Sequence, residues 1–313
     1  MSKLLITGAD GLLGSAVYSE AVRVYDVIPL THKQCDLTDF HATKAIFDYF
    51  KPDYVIHTAA VVGGIGSNMN HPGRFFNTNI NINNNVLEAA RLSNVKKLIS
   101  YMSTCVFPNE APYPLHVQHI HSGPPHSSNA AYAFAKRMLD VQSRAYRTEY
   151  GCNFITLIPT NLYGYNDSWD IENGHVLPSL IHKAYLAKKN DKKLEVWGTG
   201  APLREFLFAP DMAEITIKCL EEYNEPTPLI VSPDEEVSIK EVVEFITHQF
   251  EVEFCFLTDK PDGQMRKPSD NTEFKKLFPD FKFTSLNIGL LNTINNFKYN
   301  AYNNIPMRGV SFE

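Results

Sequence analysis

The sequence predicts an α/β protein: a doubly wound parallel sheet followed by a smaller C-terminal α/β lobe. Short apolar runs alternate with helical patterns from Lys3 to Tyr163, the first run leads into three closely spaced glycines, and the alternation loosens after Gly164. With 313 residues, 44% of them hydrophobic, the chain is long enough for one large domain and a companion.

Lys3–Thr7 reads as a buried strand running into Gly8-Ala-Asp10-Gly11-Leu12-Leu-Gly14, with a helix from Ser15 to Val24. Glycines so placed permit a tight turn, close approach of backbone to a pyrophosphate, and close packing of helix on strand, which is a Rossmann-like dinucleotide site. Val27–Leu30 is the second strand. Thr31-His32-Lys33 after it holds no carboxylate for ribose hydroxyls, so His32 or Lys33 can pair with a 2'-phosphate, favouring NADP(H) over NAD. Asp36-Leu37 lies beside the adenine, or Asp36 is a helix cap with Thr38. Asp53–His57 is the third strand, and small residues after it, Ala59 and Ala60 among them, let a cofactor pass close to backbone. The helix from about Pro72 to Leu92 carries an asparagine run (77, 79, 81, 83, 84, 85), which reads as compositional bias. Its apolar stripe is Phe76, Ile80, Leu87 and Ala90.

Lys97–Met102 is the fourth strand, and Ser103-Thr104-Cys105 falls at its carboxyl end, the edge where open parallel sheets bind ligands. The loop from Pro108 to Ser128 holds His116, His119, His121 and His126 without acidic or cysteine partners at a familiar ligand spacing, so no metal is expected. A helix follows from Tyr132 to Tyr150. The fifth strand, Asn153–Ile158, ends in Pro159-Thr-Asn161-Leu162-Tyr-Gly164. The inserted lobe contains His175, a helix over Pro178–Lys188 and the strand Leu194–Trp197. Arg204–Phe208, a helix from Asp211 to about Glu222, and a last core strand at Leu229–Val231 return to the first domain. Ser238 caps a helix to Phe250, and the tail after about Asn300 is expected to be loosely held. The expected division is residues 1–165 plus about 206–234 for the dinucleotide domain, and about 166–205 plus 235–313 for the second lobe.

Tyr132 and Lys136, four apart on a helix, share one face, so the ammonium favours the ionised phenol. A free tyrosine titrates near ~10, and poise at neutral pH needs about 4 kcal/mol, more than one lysine supplies; a cationic cofactor ring would add to it. The net charge of -6 and the absence of a basic stripe argue against nucleic acid. No apolar run approaches a membrane span, and the N-terminus enters a strand directly, so a cytoplasmic protein is expected. Five cysteines with no C-x-x-C pair suggest neither disulfides nor a zinc site.

The glycine loop, Ser103 and Tyr132-x-x-x-Lys136 resemble the extended short-chain dehydrogenase/reductases. His57-Thr-Ala-Ala-Val-Val-Gly-Gly-Ile65, Ser103-Thr-Cys-Val-Phe-Pro108, Gly123-Pro-Pro-His126, Pro159-Thr-Asn-Leu-Tyr-Gly164, Gly174-His-Val-Leu-Pro178, Trp197-Gly-Thr-Gly200 and Arg204-Glu-Phe206 resemble the GDP-L-fucose synthases. With Lys267, these matches span most of the chain. The resemblance implies conversion of GDP-4-keto-6-deoxy-D-mannose to GDP-L-fucose, by epimerisation at carbons 3 and 5 and then NADPH reduction at carbon 4. It implies Ser103 and Tyr132 on the ketone oxygen, Cys105 and His175 as the epimerising acid–base pair, and Lys136 on the nicotinamide ribose. Gly8, Asp10, Gly11, Leu12, Gly14, Lys33, Asp36, Leu37, Ala59, Ala60, Pro159, Asn161, Leu162 and His175 would border the cofactor. Asn161, Lys183, Trp197, Arg204 and Lys267 would meet the GDP-sugar, and a homodimer is implied. Where other members carry an arginine in the glycine loop, this chain has Asp10; the segment after Pro114 lacks their acidic pair. A 4,6-dehydratase would need an Asp-Glu pair where Cys105-Val106 stands. A 4-epimerase would lack the Cys105/His175 pair, and a non-catalytic sensor would usually lose Tyr132 or Lys136.

Overall fold

The computed structural model describes residues 1–260 and 262–310. Its first five strands, β1 (Lys3–Thr7), β2 (Asp26–Leu30), β3 (Tyr54–His57), β4 (Lys97–Tyr101) and β5 (Phe154–Pro159), lie parallel in one sheet. β6 (Asn161–Tyr163), β7 (Leu194–Trp197) and β8 (Leu203–Phe208) leave it, and β9 (Leu229–Val231) returns, giving the order β2-β1-β3-β4-β5-β9. Helices α1 (Leu12–Ala21), α2 (Phe40–Phe50), α3 (Ile65–Asn70), α4 (Pro72–Leu92), α5 (Ala130–Tyr150), α6 (Val176–Lys189) and α7 (Ala209–Glu222) lie between these strands in sequence. Strand alternation sorts the core. Leu5, Val55 and Leu98 face α2, α4 and α5 on one side, whereas Leu4, Ile6, Ile56 and Ile99 face α1 and α7 on the other. With both faces covered, the central strands β4 and β5 are buried along their whole length. The order reverses between β1 and β3, and the crevice outside their carboxyl ends is where such sheets bind nucleotides.

A third core gathers Tyr163, Trp169, Ile181, Phe208, Val243 and Phe297. It joins α6 to β10 (Glu236–Ser238), α8 (Ile239–Phe250) and β11 (Phe254–Leu257), with α10 (Leu286–Tyr302) completing it after α9 (Thr272–Leu277). Ser238 caps α8 in a reciprocal box with Glu241.

Four expectations are corrected. The asparagines of α4 are structural where they face inward: Asn79 clasps both backbone groups of Val61 (3.0 and 2.9 Å), and Asn85 donates to Leu37 and Thr38 carbonyls. Buried loop backbone needs such partners, which offsets the poor helix propensity. The apolar stripe includes Phe75 and leaves Phe76 exposed. Phe274 and Phe278 of the C-terminal third pack on the main sheet, not within the smaller lobe. The tail is pinned: Trp169 N–H donates to the Arg308 carbonyl (2.9 Å), and Met307 and Val310 pack on the third core.

Candidate active site

A cleft of about 960 Å³ opens over the carboxyl ends of β1, β3 and β5. One wall is the turn Gly8, Asp10, Gly11, Leu12 and Gly14. Gly8 has φ +70 and lies so near β3's end that a Cβ would stand 2.8 Å from Ala59 backbone; at Gly14 a Cβ would stand 2.1 Å from the Gly8 carbonyl. Only glycines at these two positions let the turn pack this tightly against the end of β3 and lead into α1 at the cleft, so the cradle fits a dinucleotide diphosphate. Ala59 and Ala60 form its floor, while Pro159, Asn161 and Leu162 line it from β5 and β6.

Asp36 and Leu37 also line the cleft. The Asp36 carboxylate accepts from Thr38 N–H (2.9 Å) and Oγ1 (2.7 Å), which hold its pKa below the ordinary carboxylate value; the α2 cap is Asp39. Lys33 does not line the cleft, and His32 does. The turn closed by Gln34 N–H on the Thr31 carbonyl (3.0 Å) sends successive side chains in different directions, and His32 comes to 3.9 Å from Asp10.

The second cavity, of about 870 Å³, meets the first at Ser103, Tyr132, Asn161 and His175, which line both. Cys105 borders the second cavity and Lys136 the first. Ser103, two residues past β4, caps a one-turn 3-10 helix, Thr104–Val106, that presents the thiol; Arg137 Nε fastens the turn to α5 through the Val106 carbonyl (2.6 Å). On α5, Lys136 Nζ donates to the Tyr101 carbonyl (3.0 Å) and sits 6.0 Å from the Tyr132 ring centre.

Burial governs the protonation of this group. Desolvation pushes the Tyr132 phenol well above its ordinary value and Lys136 down to about 8. Lys136 therefore does not poise the phenol by itself, in keeping with the free energy such poise requires. The Cys105 thiol is also pushed up by burial, against the opposing charges of Lys267 and Lys136. His175, at the N-cap of α6, is pushed down by desolvation between the two cavities and by the Arg308 charge.

Beyond the junction, Arg204, Lys267 and Lys183 line the second cavity, with Trp197 at its end beside Lys183 (6.0 Å to the ring centre). Burial lowers the pKa of all three cations. Asn161 is held by donation to the Glu205 carbonyl (2.8 Å). The loop histidines bind locally instead of converging: His121 pairs with Asp140 (2.8 Å) and His116 with Asp270 (3.3 Å). Among the described residues no metal-ligand cluster is gathered.

Four contributors escape a sequence reading. His57 is buried between Thr7 Oγ1 (2.7 Å) and Asn83 Oδ1 (3.1 Å), and desolvation lowers its pKa to about 3. Asn83 in turn donates to the Ala135 carbonyl (3.1 Å), fixing α5 beside Lys136. The spacing of Asn79 and Asn83, one helical turn, is the available signal. Glu195 shares the exposed face of β7 with Trp197, since Leu194 and Val196 point inward, and it borders the second cavity. Arg308 lines the first cavity from the far end of the chain.

Residues 4–232 match the NAD dependent epimerase/dehydratase family. The chain is 44% identical to a GDP-L-fucose synthase of Dictyostelium discoideum over 90% of this chain and 91% of that protein. It is 39% identical to a probable GDP-L-fucose synthase of Drosophila melanogaster, over 91% and 94% of the two chains. The crystal structure of a GDP-L-fucose synthetase from Naegleria fowleri bound to NADP superposes with a TM-score of 0.91 at 40% identity, covering 96% of this chain and 94% of that one.

Proposed function

The chain belongs to the NAD dependent epimerase/dehydratase family and, within it, to the GDP-L-fucose synthases, and from that premise we propose how its residues divide the work. The reaction takes GDP-4-keto-6-deoxy-D-mannose to GDP-L-fucose by two epimerisations and a ketone reduction. Bound NADPH supplies the hydride. Everything else falls to this chain.

The 4-ketone acidifies the hydrogens on both neighbouring carbons, so one oxyanion site serves both enolates and the final alkoxide. Ser103 Oγ and the Tyr132 hydroxyl, at the junction of the cavities, donate to that oxygen. The raised phenol pKa keeps Tyr132 protonated as a donor until the alkoxide takes its proton. Cys105 faces the sugar from the second cavity alone and His175 borders both, so the pair serves as acid and base for inversion. The thiol is pushed up and the imidazole down, which leaves a proton on sulfur and a vacant acceptor on the ring at neutral pH. Arg204, Lys267 and Lys183 meet the diphosphate, Trp197 offers its indole face to the base, and Glu195 offers a carboxylate to its N–H groups.

The observation that carries this reading is the meeting of the two cavities at Ser103, Tyr132 and His175. The reading keeps residues 1–165 plus about 206–234 as the dinucleotide unit and about 166–205 plus 235–313 as the substrate unit, with 272–283 moved to the former. No helix of the described residues is long and apolar enough to cross a membrane, and a cytoplasmic enzyme suits a reaction using NADPH. A homodimer through α4 and α5 accounts for Phe76 (41% exposed), Phe134 (45%) and Val141 (55%) on their outer surfaces; light scattering showing a monomer would refute it. The roles are tested by NMR of the products formed from the keto sugar and NADPH. Cys105→Ser is expected to lose GDP-L-fucose while still reducing carbon 4 of unepimerised sugar. A variant that makes GDP-L-fucose at the normal rate removes Cys105 from the mechanism.

A further inference from the structure

The C-terminal tail reaches the dinucleotide cleft. After α10 the chain doubles back across the segment 165–174: Trp169 N–H donates to the Arg308 carbonyl (2.9 Å), and Val310 N–H donates to the Met307 carbonyl (3.2 Å). Gly309 has φ +81 and packs so tightly that a Cβ would stand 2.4 Å from Asp170 N. Met307 and Val310 anchor the two sides of the turn in the third core. The backbone at the apex is therefore fixed, and Arg308 lines the cleft together with Asp167, Leu177 and Pro178.

The segment beneath Arg308 sits on the start of α1. Asn166 Nδ2 donates to Ser15 Oγ (3.1 Å), and Gly164 packs against the Leu12 side chain. Asp167 is 2% exposed; its Oδ1 accepts Ser168 N–H (2.7 Å), and its Oδ2 has no hydrogen-bond partner among the described residues. A carboxyl group orphaned beside the cradle for a diphosphate opposes anion binding unless a cation accompanies it. The Arg308 charge reaches both Asp167 and His175, the two titratable groups on this wall.

We propose that Arg308 is a dinucleotide-binding residue, which the C-terminal tail carries over the cofactor's diphosphate as a clasp facing the N-terminus of α1. The proposal rests on the assignment of the first cavity to NADPH. A guanidinium suits two neighbouring phosphate groups because its donors are fixed in one plane, and its charge offsets any that develops on Asp167. The glycine turn and this clasp then hold the diphosphate from opposite sides.

The test is equilibrium binding, read by quenching of protein fluorescence, with NADPH, NADH and GDP as separate probes. Arg308→Gln should weaken NADPH and NADH alike, by roughly tenfold to thirtyfold, because both carry the diphosphate, and leave GDP within about threefold. Arg308→Lys should recover part of the loss. Weakening of NADPH alone would assign the residue to the 2'-phosphate and overturn the proposal. Unchanged affinities, or an equal loss for GDP, would overturn it too. A wild type that binds GDP but neither reduced dinucleotide would instead bring down the cofactor assignment. Hydrogen exchange of the wild type needs no variant: NADPH should slow exchange at residues 305–310, and no change there would also overturn the clasp.

Discussion

The two cavities that meet at Ser103 and Tyr132 are built by opposite means. The dinucleotide cleft is shaped by what is missing: Cβ atoms absent at Gly8 and Gly14, and alanines at 59 and 60. The substrate cavity is shaped by what projects into it, namely long side chains from α6, β7, β8 and the segment around Lys267. The first should therefore fail when atoms are added and the second when charges are removed. That difference also separates tight shape-based holding of a common cofactor from charge-based selection among sugar nucleotides.

The sharpest way to break the comparison is Gly14→Ala. In an ordinary helix this exchange stabilises by about 1 kcal/mol. Here the new methyl meets the Gly8 carbonyl at 2.1 Å and Thr58 Oγ1 at 2.8 Å, both on rigid strand ends, so the sign reverses. NADPH affinity should fall at least about a hundredfold and the melting temperature by several degrees. GDP affinity should stay within about threefold in titrations of the same sample. Unaltered NADPH binding would show that the cradle does not need its glycines.

The same difference explains which parts of the molecule are legible in the chain. Glycine spacing is a local signal, so the cofactor turn and the strand order around it can be read from the residues alone. Tyr132 and Lys136 are legible because four residues of helix fix their relation. His57 is not, because its role comes from Thr7 and Asn83, 50 and 26 residues away. The asparagines of α4 mislead for a related reason: propensity describes an isolated helix, whereas their amides serve the backbone of Val61, Leu37 and Thr38. Lys33 misleads because a turn redirects neighbours, and one residue's difference moves the lining position to His32. The tail carries no periodic pattern at all, since isolated contacts at Trp169 and Asp170 and the packing of Met307 and Val310 on the third core hold it.

A smaller effect should distinguish the base end of the substrate cavity. Glu195 is one of three carboxylates bordering the cavity, with Glu172 and Asp262; Asp262 accepts from Thr199, whereas Glu195 stands beside Trp197 on the outer face of β7, where a diphosphate alone has no use for it. Guanine presents N1–H and an exocyclic amine side by side, and a carboxylate accepts both. Hypoxanthine keeps only the first, and adenine has an acceptor at N1 and no amine at carbon 2. Wild type should thus bind GDP about tenfold more tightly than IDP, and Glu195→Gln should bind the two nearly equally. Competition against a fluorescent GDP analogue reads both ratios. A variant that retains the full GDP-over-IDP preference would take Glu195 out of base recognition, and equal weakening of every nucleotide would leave it a partner of Lys183 alone.

The smallest expected effect concerns a cation serving both ends of one cavity. Burial raises the Cys105 pKa, and Lys267 is the largest opposing influence. Removing that charge in Lys267→Met must move the thiol further up, so the thiolate fraction at neutral pH falls. Iodoacetamide alkylation of Cys105, followed by mass spectrometry, should slow about threefold at pH 7 and converge with wild type at high pH, where both thiols are ionised. Lys183 does not bear on the thiol, so Lys183→Met should leave the rate unchanged. GDP sharpens the test. A diphosphate drawing on Lys267 reduces what that charge does for sulfur, so GDP should slow alkylation in Lys183→Met and scarcely alter it in Lys267→Met. Equal slowing in both variants would mean that GDP merely shields the sulfur, and that Lys267 does not couple the diphosphate end of the cavity to its acid–base end.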